Sequence, residues 1–529
     1  MKTLSPATKR LLQRYQEWYG SLEPKESITT LHVDEAASAV ATFYEKLRGI
    51  VDWKEEHLLR KGAIERILRR RVLMSEELDT LAEHIVLELI RGGHFPNDAI
   101  PDTKIQDVQR SIDKYLFLFQ NVFAEQEKQL VEIQDWLIGI AACEVEAVLS
   151  PPSKERALID YMTELMQSRI EIKGEIPERS KKTQIFLACQ QSLFKLDAPL
   201  LSYHLLQRWY PDWIQLTPQS QQLTDIARDI FDIYTEIDRE LSHPMARHFY
   251  ALCEKYDTAY LLLGDILERD PVGAGTLLEN PAELEAAIRE AYGARLWHSR
   301  NKVKRAAIYS TLSIFVTKVA LALGVEIPVD KYLTGGLNFM ALGINLAVPP
   351  LLMALLVLSI RPPSRENLQR SILEIMKNVY ESEQKDTYTI RRPREKGAAL
   401  SFFLALFYIL SFILSYGIIF WLLTKLNFSL LSQIIFVMFI SLISFAGVKI
   451  RQRSKELVIQ EEKGPALFGI FELFALPIIQ TGKWLSGKLA HYNVIIIAIN
   501  ALIEMPLQLF LEFLEQWRFF LKEKKEEIH

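Results

Sequence analysis

The chain is predicted to be all-α: a large N-terminal cytoplasmic helical domain, then a four-helix transmembrane bundle made of two hairpins, then an amphipathic helical C-terminal tail. Three observations carry this. Four apolar runs, Ala306 to Leu323, Leu333 to Ile360, Ala398 to Leu423 and Phe428 to Val448, are each about long enough to cross a bilayer, since ~20 helical residues rising about 1.5 Å each cover a hydrocarbon core of roughly 30 Å. Few windows before them alternate strictly in the manner of strands,. Lys and Arg crowd the ends of the runs on one side only: Arg300, Lys302, Lys304 and Arg305 before the first, nine cations between residues 361 and 396, and Lys449, Arg451, Arg453 and Lys455 after the fourth. Each short hairpin connection carries one, Lys331 or Lys425. That bias marks the cytoplasmic side, so both termini are expected inside the cell, in a multi-pass protein of the cell membrane.

Charge divides the chain in the same place. Residues 1–305 hold 39 Lys and Arg against 48 Asp and Glu, whereas the remainder holds 23 against 18. An acidic first part argues against a nucleic-acid partner. The three cysteines, Cys143, Cys189 and Cys253, form no Cys-x-x-Cys pair and are expected as reduced core residues. Met1 to Gly20 is charged and amphipathic, unlike a secretory leader,.

In chain order, residues 1–280 are expected to form the cytoplasmic domain, with room for two subdomains. From Val33 to about Leu73 only Gly49 and Gly62 interrupt, which suggests one long helix or two stacked ones. Arg60, Lys61, Arg66, Arg69, Arg70 and Arg71 crowd its second half. Such a cluster attracts an anionic lipid surface; a solvated face paired to acidic neighbours is the plainer account. Ser75 with Glu76 and Glu77 suits a helix start, Gly92-Gly93 a stop, and Thr103 with Gln106 a capping box. Ile105, Val108, Ile112, Leu116, Phe119 and Val122 mark one buried face,. Helix continues over 124–149 until Ser150-Pro151-Pro152, then over about 154–170, 177–195 and 199–208. Thr217-Pro218 restarts a longer one with Ile226, Ile230, Ile233, Ile237 and Leu241 inward. Asn280-Pro281-Ala282-Glu283 is a strong helix start. No proline follows before Leu323, so residues 281–305 are expected as a juxtamembrane helix running into the first span.

The first hairpin spans 306–360, a basic cytoplasmic loop 361–397, the second hairpin 398–448. Their polar residues fall in stripes: Ser310, Ser313 and Thr317; Asn338, Ala341 and Asn345; Ser401, Tyr408, Ser411 and Ser415; Gln433, Ser441 and Ser444. Small and hydroxylated side chains let helices approach, so the stripes are expected to face one another; a solute path is the sharper alternative. Lys318 is the one charge inside the runs, placed so that its chain can snorkel outward. Residues 449–529 are expected as a cytoplasmic, interfacial tail, with 507–521 amphipathic. Two further spans would require Lys483 and Lys488 outside, against the charge rule.

Candidate chemistry is sparse. Gly482-Lys483-Trp484-Leu485-Ser486-Gly487-Lys488-Leu489 resembles a phosphate-binding loop but ends in Leu489 where Ser or Thr must hold magnesium,. Glu240 and His243 have a metal-helix spacing, but only one such pair occurs,. No catalytic residue, cofactor, metal or small-molecule ligand is identifiable; the expected partners are the lipid bilayer and a protein or a second copy of the chain. Three function classes stand open: a membrane-anchored helical scaffold or adaptor, an oligomeric transporter or channel subunit, and an enzyme acting on lipid.

Overall fold

A computed structural model describes residues 3–22, 29–33, 56–74, 81–122, 127–174, 176–333, 339–358, 365–381, 386–391, 397–454 and 466–491, with Phe513 and Trp517. Among them the chain is almost wholly helical. The first helices are α1 (Pro6–Gly20), α2 (Glu56–Met74), α3 (Leu81–Arg91), α4 (Thr103–Gln120), α5 (Glu127–Leu149) and α6 (Ser153–Arg169). Then come α7 (Glu178–Phe194), α8 (Ala198–Trp209), α9 (Gln221–Leu241), α10 (Ala246–Arg269), α11 (Ala274–Glu279) and α12 (Pro281–Leu321). Most breaks fall where the punctuation puts them: Gly93, with φ 71°, follows α3, and Pro151-Pro152 follows α5. The Thr103 box does not form, because Thr103 is already helical and Asp102 precedes it without a side-chain cap. Ser75 to Glu77, residues 34–55 and most of the 507–521 stripe lie outside the described residues.

Helices α2 to α5, α8 and α9 close around one core, which includes Ile64, Ile85, Leu118, Leu137, Leu205, Trp213 and Ile230. A second core joins α1, α6, α7, α10 and α11. It does not stop at residue 280. Leu284, Ile288 and Tyr292 of α12 belong to it, and so do Ile372, Ile375, Val379 and Ile390. Residues 361–397, expected as a basic loop, therefore contain α15 (Arg365–Tyr380), numbered after α13 (Ile327–Leu333) and α14 (Phe339–Leu358), built into the body.

A short parallel pair, β1 (Ile170–Lys173) with β2 (Tyr388–Arg391), locks the same segment. Ile-Glu-Ile-Lys and Tyr-Thr-Ile-Arg both alternate, and Ile170 and Ile390 are the buried members,. Polar contacts finish the seam. Arg169, 1% exposed, donates from Nη1 to Glu374 Oε1 at 2.7 Å and from Nη2 to Asn378 Oδ1 at 2.8 Å. A helix leaves its last carbonyls without internal partners; here Tyr161 donates to the Asn378 carbonyl at 2.9 Å and the Ser5 N–H to the Val379 carbonyl at 2.8 Å. Ser5 in turn caps α1 by accepting from the Thr8 N–H.

Helix α12 is unbroken over 41 residues, about 60 Å at 1.5 Å per residue. The Asn280 side chain accepts from the Ala282 N–H and donates to Glu283, which fixes its start. After Leu321 one π-turn, Ala322–Glu326, leads into α13. The last helices are α16 (Ala398–Lys425), α17 (Leu430–Ser454) and α18 (Ala466–His491). With α14 and the end of α12 they form an apolar bundle, and α16 and α17 are long and apolar enough to cross a membrane.

The tail helix α18 is not peripheral: it lies along α17 and α16. Gly482 faces the Ser441 carbonyl so closely that an added Cβ would sit 1.9 Å from the oxygen. Tyr408 of α16 donates to Gln480 at 3.4 Å. Ser411 and Ser415 of α16 are buried, while Ser401, Tyr408 and most of the helix's apolar side chains are exposed. Helix also accounts for residues 482–489, so the sequence there forms no phosphate-binding loop.

Gly482→Ala is expected to pry α18 from α17 and lower the melting temperature of the purified protein, whereas Gly487→Ala, with nothing within 4 Å of the added Cβ, leaves it unchanged,. Equal effects in thermal scans of the two variants would show that the close approach is not what holds α18.

Candidate functional site

Within the bundle three polar side chains from two chain segments converge. The Lys318 ammonium meets Glu326 Oε1 at 2.5 Å, and both side chains are fully buried. Asn345 of α14 donates Nδ2 to the other carboxylate oxygen at 2.6 Å. The Phe439 ring of α17 stands 5.1 Å from the ammonium. Both Glu326 oxygens therefore have charged or polar donors, as a buried carboxylate requires. Asn345 Oδ1 is buried with no hydrogen-bond partner among the described residues.

Snorkelling by Lys318 is the expectation this arrangement overturns. Eight residues at 100° each put Glu326 about 80° around a regular helix from Lys318. The extra residue of the π-turn takes out about 100°, so Glu326 returns to within roughly 20° of the lysine's face. The pairing is thus a product of one irregular turn.

The other expected intramembrane residues scatter. Thr317 is exposed, the Ser313 side chain and all of Asn338 lie outside the described residues, and Ser411 and Ser415 are buried on α16, away from Lys318 in the chain. Gln433 donates to the Phe428 carbonyl at 3.0 Å and to Thr424 at 3.2 Å, which closes the turn between α16 and α17. Ala341, on the stripe with Asn345, is buried.

The basic residues of α2 are met largely from within the body. Arg60 pairs with Glu146, Lys61 with Asp197 at 2.5 Å, Arg69 with Asp135 at 2.5 Å, and Arg70 and Arg71 share Glu88 at 2.6 and 3.3 Å. Arg66 is half-buried, its guanidinium folded back toward Gly62. These acids stand on α3, α5 and the start of α8, so only tertiary packing brings them to α2.

Two further buried polar groups lie in the body. Lys114 donates to Glu144 at 2.6 Å and to the Trp213 carbonyl at 2.8 Å, while Tyr115 and the Trp213 indole both donate to the second Glu144 oxygen at 2.9 Å. That network joins α4, α5 and the turn after α8. Asp257 of α10 is buried near the free thiols Cys189 and Cys253, whose sulfurs are 3.8 Å apart. Burial pushes its carboxyl up to about 8, only partly offset by the Lys195 ammonium 4.0 Å away. Glu240 accepts from Gln184, and His243 Nδ1 accepts from the Met245 N–H, so both serve the end of α9. No cluster of three or more metal-ligating side chains occurs among the described residues. No family model, curated protein or solved structure matches the chain.

Lys318→Met strands a buried carboxylate and is expected to cost about 3–5 kcal/mol, seen as a large fall in melting temperature. The K318M/E326Q double variant should recover most of it; losses that simply add would mean the two side chains do not form a pair.

Asp257 gives a pH test. Its folded pKa, about 8, lies above the ordinary 3.8, so the folded state holds a proton that the unfolded chain has released, and stability falls as pH rises through that window. Asp257→Asn should flatten melting temperature between roughly pH 5 and 8; a variant curve parallel to that of the wild type would refute it.

Proposed function

We propose that the chain is a membrane-anchored helical platform: the bundle spans the bilayer in several passes, and the body, on the cytoplasmic side, binds a protein partner. Exposed apolar surface supports the membrane placement. Only 17% of the spanning window of α16 and 33% of that of α17 is buried, whereas a core helix of a water-soluble protein is mostly covered. Phe402, Phe403, Leu410, Ile413 and Trp421 are each more than half exposed, an arrangement hydrocarbon solvates and water does not. The cation bias at the span ends supports the orientation.

The observation that carries the platform reading is the seam at Arg169. The segment that joins the two hairpins lies in the core of the body, and α12 leaves that core and enters the bundle without a break. The first hairpin is thereby held at both its ends, and the body has a set position on the membrane. A candidate docking corner lies where Gln16 of α1 donates to the Pro271 carbonyl. Tyr19, Leu22 and Val272 are exposed there at 46, 59 and 70%.

A transporter is the second reading, favoured by the buried Lys318, Glu326 and Asn345, since charges within a span mark ion or solute paths more often than they serve packing.

A photo-crosslinking residue at Val272 of the full-length chain should yield one discrete protein adduct in intact cells, and the same residue at exposed Ile214, over the other core, should not. Adducts at neither position, together with solute flux into proteoliposomes that Asn345→Leu abolishes, would replace the platform with the transporter.

A further inference from the structure

On α12 the pairing of charges stops abruptly. Arg289 pairs with Glu285, Arg269 with Glu290, and Arg295 with Asp265. Beyond Arg295 no acid occurs on the chain until Glu326. Arg300, Lys304 and Arg305 are exposed and form no ion pair among the described residues, unlike most of the cations on α2. The exposed face changes chemistry along its length: Trp297 at 64%, then Arg300 and Lys304, then Ile308 and Leu312 at 56% each. Those positions follow one another at three and four residues and so share a side of the helix. The change from cation to hydrocarbon falls between Arg305 and Ile308.

Tertiary packing adds a cation from the far end of the chain. Val303 of α12 packs against an apolar cluster that includes Ile450 of α17, and Lys449, exposed and 5.1 Å from the Phe445 ring, stands one residue before Ile450. Residues 300–305 lie within about 9 Å of Ala306 along the helix axis, and the headgroup zone on one side of a bilayer is about 5–8 Å deep. Long side chains cover the difference.

Resting on the membrane placement proposed above, we propose that Arg300, Lys304 and Arg305 of α12, with Lys449 of α17, form a binding surface for anionic phospholipid headgroups at the cytoplasmic end of the bundle. The phosphate carries the charge that these cations meet, the acyl chains lie along Ile308 and Leu312, and Trp297 sits at the outer edge of the headgroup layer. The site is assembled only when α12 and α17 are packed, so bound lipid favours the closed bundle over its separated helices.

The full-length protein, extracted in mild detergent from membranes of mixed phosphatidylglycerol and phosphatidylcholine, tests this by the lipid that stays bound. Wild type should retain phosphatidylglycerol roughly tenfold over phosphatidylcholine relative to the membrane, and added phosphatidylglycerol should raise its melting temperature. R300Q/K304Q/R305Q should lose both effects, while R228Q/R239Q/R247Q, which removes three exposed cations of the body, should keep them. Equal retention by the two triple variants would overturn the site, as would an equal rise with glycerol phosphate, which would make it a free-anion site. Should the triple variant fail to fold, Arg300→Gln and Lys304→Gln singly should each reduce the enrichment; no reduction from either overturns the proposal. Release of the wild-type protein from membranes by alkaline carbonate would instead refute the membrane placement itself.

Discussion

Arg169 is the point through which the body and the bundle become one object. Its guanidinium is almost wholly removed from water and holds Glu374 and Asn378, two residues that arrive from beyond the first hairpin. A cation in that position is tolerable only with its donors occupied. The demand is met by a segment that would otherwise be an exposed linker. Once α15 is seated, its C-terminal carbonyls take hydrogen bonds from the start of the chain and from α6, and β2 has a neighbour in β1. The second core then reaches from α1 to Ile390. Nearly 400 residues of chain are closed into a single fold around that contact.

The same rule about buried charge runs through the rest of the molecule. Lys114 is held by Glu144 and the Trp213 carbonyl, and Lys318 by a carboxylate that an asparagine also holds. A lysine and a glutamate in an apolar bundle cost several kcal/mol each to desolvate, and a direct ion pair with an added hydrogen bond offsets much of that. The α2 cations follow the surface version: they sit among acids of the body, which lowers the net positive field that a lipid surface would meet there. Arg300, Lys304 and Arg305, which have no ion pair among the described residues, stand where α12 approaches the apolar bundle.

Packing within the bundle is governed by how closely backbones can come. Gly482 allows α18 to lie against the Ser441 carbonyl, and Ser411 and Ser415 are among the few covered residues of α16. Small residues act here as contact surfaces between helices. The outward faces remain broad and apolar, in keeping with a hydrocarbon solvent around them.

Sequence alone determined the helical class, most of the helix limits, the unbroken α12 and the long apolar stretches, because these follow from local signals: proline and glycine placement, caps, period and run length. Lys318, Asn345 and the α2 cations were each visible as unusual residues, and Glu326 was visible eight positions beyond the lysine. Their partners were not. Glu326 reaches Lys318 only because a π-turn shifts its face, and Glu88, Asp135 and Asp197 reach α2 only after α3, α5 and α8 have packed. The docking of α15 and β2, the seam at Arg169 and the place of α18 beside α17 were likewise decided by tertiary structure. The first two join segments far apart in the chain, and no local periodicity encodes which surface will cover a given face.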